Sequence, residues 1–262
     1  MDFDALTALA GVLVGLIVGI TGVGGGSLMT PILVLLFGVA PQTAVGTDLL
    51  YACITKTFGV AVHHKHETVD WQVVRRLAYG SLPGAALTLL WMQLNHLSQM
   101  KSGVILTALA VALIITALGI LAKDWLHGLG RRFRLGDSSR FKALQPALTV
   151  AAGVVLGVLV TLTSIGAGAL GTVMLLYLYP LRMTPNRLVG TDLAHAIPLT
   201  LIAGMGHLAL GNVNFPLLIN LLVGSIPGVL AGSWISTRAP LGFMRYAIAL
   251  VLGAVAVKLL TV

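Results

Sequence analysis

Val45-Gly46-Thr47-Asp48-Leu49 returns unchanged as Val189-Gly190-Thr191-Asp192-Leu193, 144 residues later. The same offset lays Gly22 on Gly166, Gly24 on Gly168, Pro41 on Pro185 and His63 on His207. It also lays Gly80-Ser81-Leu82-Pro83-Gly84 on Gly224-Ser225-Ile226-Pro227-Gly228. Residues 19–89 match 163–233 without a gap. A chain rich in Gly, Leu and Val yields scattered matches by composition alone. It does not yield two multi-residue motifs held in one register, so the chain reads as a duplication.

The duplicated material is apolar. Of 262 residues, 57% are hydrophobic and 9% charged, and the mean hydropathy is +0.98. Soluble domains carry about 25% charged residues, so a soluble globular enzyme is excluded. Disorder and collagen-like structure fall for the same reason. The single cysteine, Cys53, excludes a disulfide framework and a multi-thiolate metal site. The net charge of +8 is not read as a nucleic-acid signal, because the bases sit between apolar segments.

A spanning helix needs about 20 apolar residues. Apolar stretches occur near 5–20, 27–38, 44–62, 72–94 and 102–122, and again near 147–163, 169–181, 188–206, 214–235 and 241–261. Met1-Asp2-Phe3-Asp4 lacks the basic region of a secretory signal. The expected architecture is all-α and membrane-embedded. A first transmembrane repeat covers 1–122, a basic linker 123–146 and a second repeat 147–262. In each half the first two stretches are short and broken by glycines, Gly22-Val23-Gly24-Gly25-Gly26 and Gly166-Ala167-Gly168. Each pair reads either as two spans or as a re-entrant hairpin with its tip at mid-depth, tolerated only where protein or a polar cavity surrounds it.

Cytoplasmic segments are enriched in Lys and Arg. The 123–146 loop holds Lys123, Arg131, Arg132, Arg134, Arg140 and Lys142, which places it in the cytoplasm and both termini in the periplasm. Counting spans outward, all but three of the 16 bases fall inside: Lys101 and Lys258 lie outside and Lys56 within a span. The loop after 44–62 is then inside and its counterpart after 188–206 outside. The two halves are therefore inverted, the pattern of secondary transporters. No ATP-hydrolysing motif is present, and the first glycine tip lacks the Lys-Ser/Thr of a phosphate-binding loop.

Helix N-termini carry unpaired N–H groups and partial positive charge. The helices expected to begin near Ser27 and Ala169 follow glycines that let a ligand approach the backbone. Gly22, Gly24, Gly25, Gly26, Ser27, Gly166, Gly168 and Ala169 are the expected anion-binding set. Thr21, Thr161, Thr163 and Ser164 could add hydroxyls. Gly11, Gly15, Gly19, Gly224, Gly228 and Gly232 are spaced instead for close helix packing.

The Gly-x-Gly-Gly-Gly tip, the Pro-x-x-Ala-x-Gly-Thr segment at Pro41–Thr47 and the repeated Gly-Ser-x-Pro-Gly resemble the TauE/SafE sulfite exporter family over nearly the whole chain. That resemblance implies a bacterial inner-membrane permease for a sulfur-containing anion such as sulfite or a sulfonate, working in export. The second tip departs from the first at Ala167, Ala169 and Leu170.

Lys56 is expected either to snorkel or to contact the anion. Asp48 and Asp192, one turn into their helices, read as carboxylates stabilised by the helix dipole or as proton-coupling groups. His195, three residues after Asp192, could relay protons. The competing function is a proton- or cation-linked carrier of another small solute centred on Asp48 and Asp192. An intramembrane enzyme lacks a nucleophile–base pair at helical spacing. His63-His64-Lys65-His66-Glu67 looks like a metal run but is read as an interfacial helix end. No catalytic residue, metal site or cofactor is expected. The partners expected are a small anion, the bilayer and coupled protons.

Overall fold

The computed structural model describes residues 5–21, 26–65, 69–95, 102–136, 138–166, 168–236, 253 and 256–258. The chain is helical, with no strand among these residues. The helices are α1 (Ala5–Thr21), α2 (Gly26–Leu35), α3 (Pro41–Lys65), α4 (Trp71–Leu94), α5 (Ser102–Gly136), α6 (Ser138–Thr163), α7 (Ala169–Leu178), α8 (Pro185–Ala209) and α9 (Phe215–Ser236). Three segments among the described residues are long and apolar enough to cross a bilayer: Leu106–Arg132, Phe141–Thr163 and Arg187–Ala209. The surface carries Leu9, Leu13, Leu87, Leu118 and Leu230 exposed. Such apolar exposure suits lipid and not water.

Local sequence explains where several helices begin. Asp70 Oδ1 accepts from Val73 N and caps α4. Thr184 caps α8, with Pro185 in the first position, where its missing N–H costs nothing. Both α3 and α8 start at their prolines, three residues before the apolar stretches begin. Asp48 and Asp192 therefore lie about two turns inside their helices rather than one, which weakens any stabilisation by their own helix ends.

Two expectations of shape change. The segment 123–146, expected as a polar loop, is helical over 123–136 and 138–146. At 1.5 Å per residue α5 is about 50 Å long, well beyond a hydrocarbon core of about 30 Å. Its basic end is therefore helix beyond the length a span requires. The expected span 241–261 lies outside the described residues apart from 253 and 256–258.

Packing pairs the halves crosswise. α1 lies on α9, α4 on α6, and α3 on α8. Gly11 and Gly15 meet the backbone of Leu221 and Ser225, and Gly153 and Gly157 meet Leu77 and Ser81. Leu77 and Ser81 are the counterparts of Leu221 and Ser225 at the 144-residue offset. Gly224 and Gly228 face Ala8 and Val12, as Gly80 and Gly84 face Val150 and Val154. The packing role expected of Gly11, Gly15, Gly224 and Gly228 is thus observed; the surroundings of Gly19 and Gly232 lie outside what is described.

α3 and α8 run antiparallel. Gly46 meets Asn212 and His207 at one end, while Gly204 meets Leu50. At their crossing, Cys53 Sγ faces the carbonyl of its own counterpart Ile197 at 3.9 Å. Asp70 N–H donates to Thr191 Oγ1 at 2.9 Å, and Asn214 N–H donates to Thr47 Oγ1 at 3.0 Å. Both bonds join the same pair of positions in opposite halves.

Candidate functional site

The chain between α6 and α7 is a sharp break. Ser164, Gly166 and Gly168 have φ of 58°, 117° and 150°, a region that L side chains rarely adopt. Ser164 N–H reaches Val160 O, Ile165 N–H reaches Thr163 Oγ1, and Gly168 N–H reaches Gly166 O. The break is buried on both sides. α7 then folds back along α6: Gln145 Nε2 donates to Leu178 O, and Thr149 Oγ1 meets Tyr179 Oη at 2.8 Å. A ten-residue helix rises about 15 Å, half the hydrocarbon thickness. The pair is thus a helical hairpin with one arm, Phe141–Thr163 in α6, long enough to cross a bilayer and the other, α7, too short to do so alone.

Gly22, Gly24 and Gly25 lie outside the described residues. Gly26 opens α2, and nothing is described of the Ser27 or Thr21 side chains. Thr163 turns its hydroxyl back onto Leu159 O. The Thr161 carbonyl accepts from His207 Nε2 if that nitrogen carries the proton. The His63–Glu67 run lies outside the described side chains.

Asp192 sits on the first turn of α7, its Oδ1 occupying the space a Cβ on Gly171 would need. This helix N-terminus therefore already faces a carboxylate belonging to the protein. On the other side, Asp48 Oδ2 accepts from Thr30 Oγ1 of α2 at 2.6 Å. Each carboxylate of the repeated motif is thus turned toward a ten-residue helix of its own half.

Lys56, on α3, is 4% exposed and within electrostatic reach of both Asp192 and Asp48. It does not snorkel. With all three ionised, two carboxylates and one ammonium leave one net negative charge. Among the described residues these are the buried charged side chains at the meeting of α2, α3, α7 and α8.

Around these charges the halves differ. His195 Nε2 bonds Ser81 Oγ at 2.8 Å, so its described partner is a hydroxyl and not Asp192. The equivalent pair, Tyr51 and Ser225, face each other in the other half. Ser164 likewise faces Asp48. Sequence reasoning missed Thr30, Tyr51 and Ser225. Tyr51 was findable, since it follows Asp48 by three residues on one helical face.

The second difference lies at the end of the bundle where α4 and α8 begin. Arg182 donates from Nη2 to Asp70 Oδ1 at 2.8 Å, pairs through Nε with Oδ2, and reaches Gln72 through Nη1. Its counterpart position is Gly38, and Asp70 is matched by Asn214. Only one end of the bundle carries this ion pair. Asp70→Asn keeps the α4 cap and removes the pair. It is expected to destabilise by about 1 kcal/mol, and the loss should vanish in an Arg182→Ala background. A thermal-denaturation double-mutant cycle measures this.

A family model described as "Sulfite exporter TauE/SafE" matches residues 7–259. The probable membrane transporter protein YjnA of Bacillus subtilis (strain 168) is 42% identical over 253 residues, covering 94% of this chain and 96% of that protein. The probable membrane transporter proteins YdhB and YunE of the same organism are 27% and 26% identical. The YdhB match covers 90% of this chain and 91% of that protein; the YunE match covers 91% and 90%. No solved structure matches the chain.

Proposed function

The chain belongs to the TauE/SafE sulfite exporter family of membrane transporters, and from that premise we propose that it exports a small sulfur-containing anion by alternating access. It is a transporter and not an enzyme. The substrate class is sulfite, a sulfonate or a related organosulfur anion, and the membrane is the bacterial inner membrane. The observation that carries the reading is the buried Asp48–Lys56–Asp192 cluster, set where the glycine break before α7 meets α3 and α8. A transporter site belongs at such a place, where broken helices end near the bilayer midplane.

In this reading, residues 1–122 and 147–262 form inverted repeats joined by a cytoplasmic 123–146. The antiparallel packing of α3 on α8 and the paired Asp70–Thr191 and Asn214–Thr47 bonds support it. The gathering of Arg76, Arg182, His127 and Gln145 with the ends of α5 and α7 at one end supports a cytoplasmic face there. In this reading the anion is held by Lys56 with Gly166, Gly168 and Ala169, and by the first-half set expected from the sequence, Gly22, Gly24, Gly25, Gly26 and Ser27. It competes with Asp192 for the α7 N-terminus.

Gly171→Ala tests this directly. The new methyl fills the space at the α7 N-terminus that the anion must enter and the Asp192 carboxylate occupies, while adding a good helix former. The protein is expected to stay folded and to lose sulfite or sulfonate counterflow in proteoliposomes by about tenfold, the effect of roughly 1.4 kcal/mol. If the wild type carries no flux of any sulfur oxyanion or sulfonate, the substrate assignment is wrong. The second reading, a cation- or proton-linked carrier of another solute, draws support from the net negative charge of the cluster. It requires that neutralising Asp48 and Asp192 together destroy binding of the substrate itself.

A further inference from the structure

We propose that the polar strap Arg182–Asp70–Gln72 is a one-ended gate, which holds the transporter closed where α4 and α8 begin and biases its cycle toward that closed state. This rests on the alternating-access part of the reading above and not on the identity of the substrate.

The strap ties one half of the chain to the other. Arg182 stands in the turn between α7 and α8, Asp70 caps α4, and Gln72 lies in its first turn. The guanidinium donates to Asp70 Oδ1 at 2.8 Å and to Gln72 Oε1 at 2.9 Å, and pairs through Nε with Asp70 Oδ2. Its Cζ lies 5.9 Å from the centre of the Tyr179 ring, and Tyr179 Oη accepts from Arg76 Nη1 of α4 at 3.2 Å. Asp70 N–H in turn donates to Thr191 Oγ1 at 2.9 Å, and Thr191 is the neighbour of Asp192 in α8. A continuous chain of contacts thus runs from Arg182, 39% exposed, to the buried Asp48–Lys56–Asp192 cluster.

The repeat distinguishes a gate from a brace. Inverted halves exchange conformations when access alternates, so a contact present in both halves is lost at one end and regained at the other. The Asp70–Thr191 and Asn214–Thr47 bonds are of this kind. The strap is not. At the 144-residue offset Arg182 falls on Gly38, Gln72 on Pro216 and Tyr179 on Leu35, and none of these has a side-chain donor or acceptor. Asp70 falls on the neutral Asn214. A Cβ at Gly38 would meet nothing within 4 Å, so the matching turn also leaves its space unfilled. The exchange therefore breaks a forked, charge-assisted pair at one end and makes none at the other. That difference sets the resting state. Because Arg182 is partly in solvent, the pair is weak enough to open.

Cys53 reports the opening. It is the single cysteine of the chain, is 8% exposed, and precedes Lys56 by about one turn of α3. The full chain is placed in sealed vesicles and treated from one face at a time with a membrane-impermeant methanethiosulfonate, and Cys53 modification is followed by mass. The strap's face is the one from which trypsin cuts the basic 123–146 segment, since His127 and Gln145 bond to the same end of α7. Asp70→Asn and Arg182→Ala are each expected to speed modification from that face about fivefold, the factor that about 1 kcal/mol makes. Modification from the opposite face should slow or stay unchanged. The double variant should match the singles, since each already lacks the pair. Arg182→Lys keeps the charge but loses the fork and should fall between; it carries the comparison if a stronger variant fails to fold. Equal acceleration from both faces would make the strap a brace and overturn the proposal. Unchanged rates at both faces, or acceleration from the opposite face alone, would also overturn it. Sided acceleration in a protein whose wild type moves no sulfur anion would uphold the gate and remove the substrate assignment.

Discussion

Lys56→Met is expected to abolish transport and to destabilise the protein by about 3–5 kcal/mol, the usual cost of stripping one partner from a buried charge cluster. With all three groups ionised, the wild-type cluster holds two carboxylates and one ammonium. Removing the ammonium leaves two buried carboxylates without the one buried cation beside them among the described residues. Replacing Asp192 by Asn in the same chain returns the formal balance to one negative charge. The double variant Lys56→Met, Asp192→Asn is therefore expected to recover most of the stability. It should remain inactive if Lys56 meets the anion. Denaturation and proteoliposome flux on the same preparations separate the two roles. Flux that returns with stability would reduce Lys56 to a counter-charge for Asp192.

The repeat, the glycine breaks and the three ionisable residues are legible in the sequence because each is a pattern of residue types at fixed spacing. The helical class follows from apolar run lengths alone. What escapes is set by direction and by partners. Spacing sets Asp192 against its own helix end, but Pro185 starts α8 early and the side chain lands on α7 instead. No spacing rule shows that, since Gly171 and Asp192 meet only after α7 folds back. Gly171 itself carries no signal, because its counterpart is Ser27. The Asp70–Arg182 pair is hidden for a similar reason: it joins two loops 112 residues apart. Charge alone makes the 123–146 segment look like a loop. Lys and Arg are good helix formers, and polarity marks where a helix leaves lipid, not where it stops.

Gly224→Leu and Gly80→Leu, at the glycines that let the halves approach, should each prevent the protein from reaching a stable fold. A Cβ at Gly224 would overlap the Ala8 carbonyl oxygen, and one at Gly80 the Val150 carbonyl oxygen. Both obstacles are backbone, so neither can be relieved by a rotamer change. The α1–α9 or α4–α6 pair has to move apart. Overpacking alone costs at least about 1–3 kcal/mol, and the separated helices also give up their close packing along the rest of the seam. Gly103→Ala and Gly128→Ala give the matched control. Nothing lies within 4 Å of a Cβ at either site in α5, so alanine there should stabilise by up to about 1 kcal/mol through helix propensity. Monodisperse yield and melting temperature in detergent measure all four. Gly80 and Gly224 are counterparts in the repeat, and their variants should fail to a similar degree, since each blocks the same approach in opposite halves. If one were tolerated, the two seams would differ in how far their helices can separate, and the tolerant seam would be the one able to move during transport.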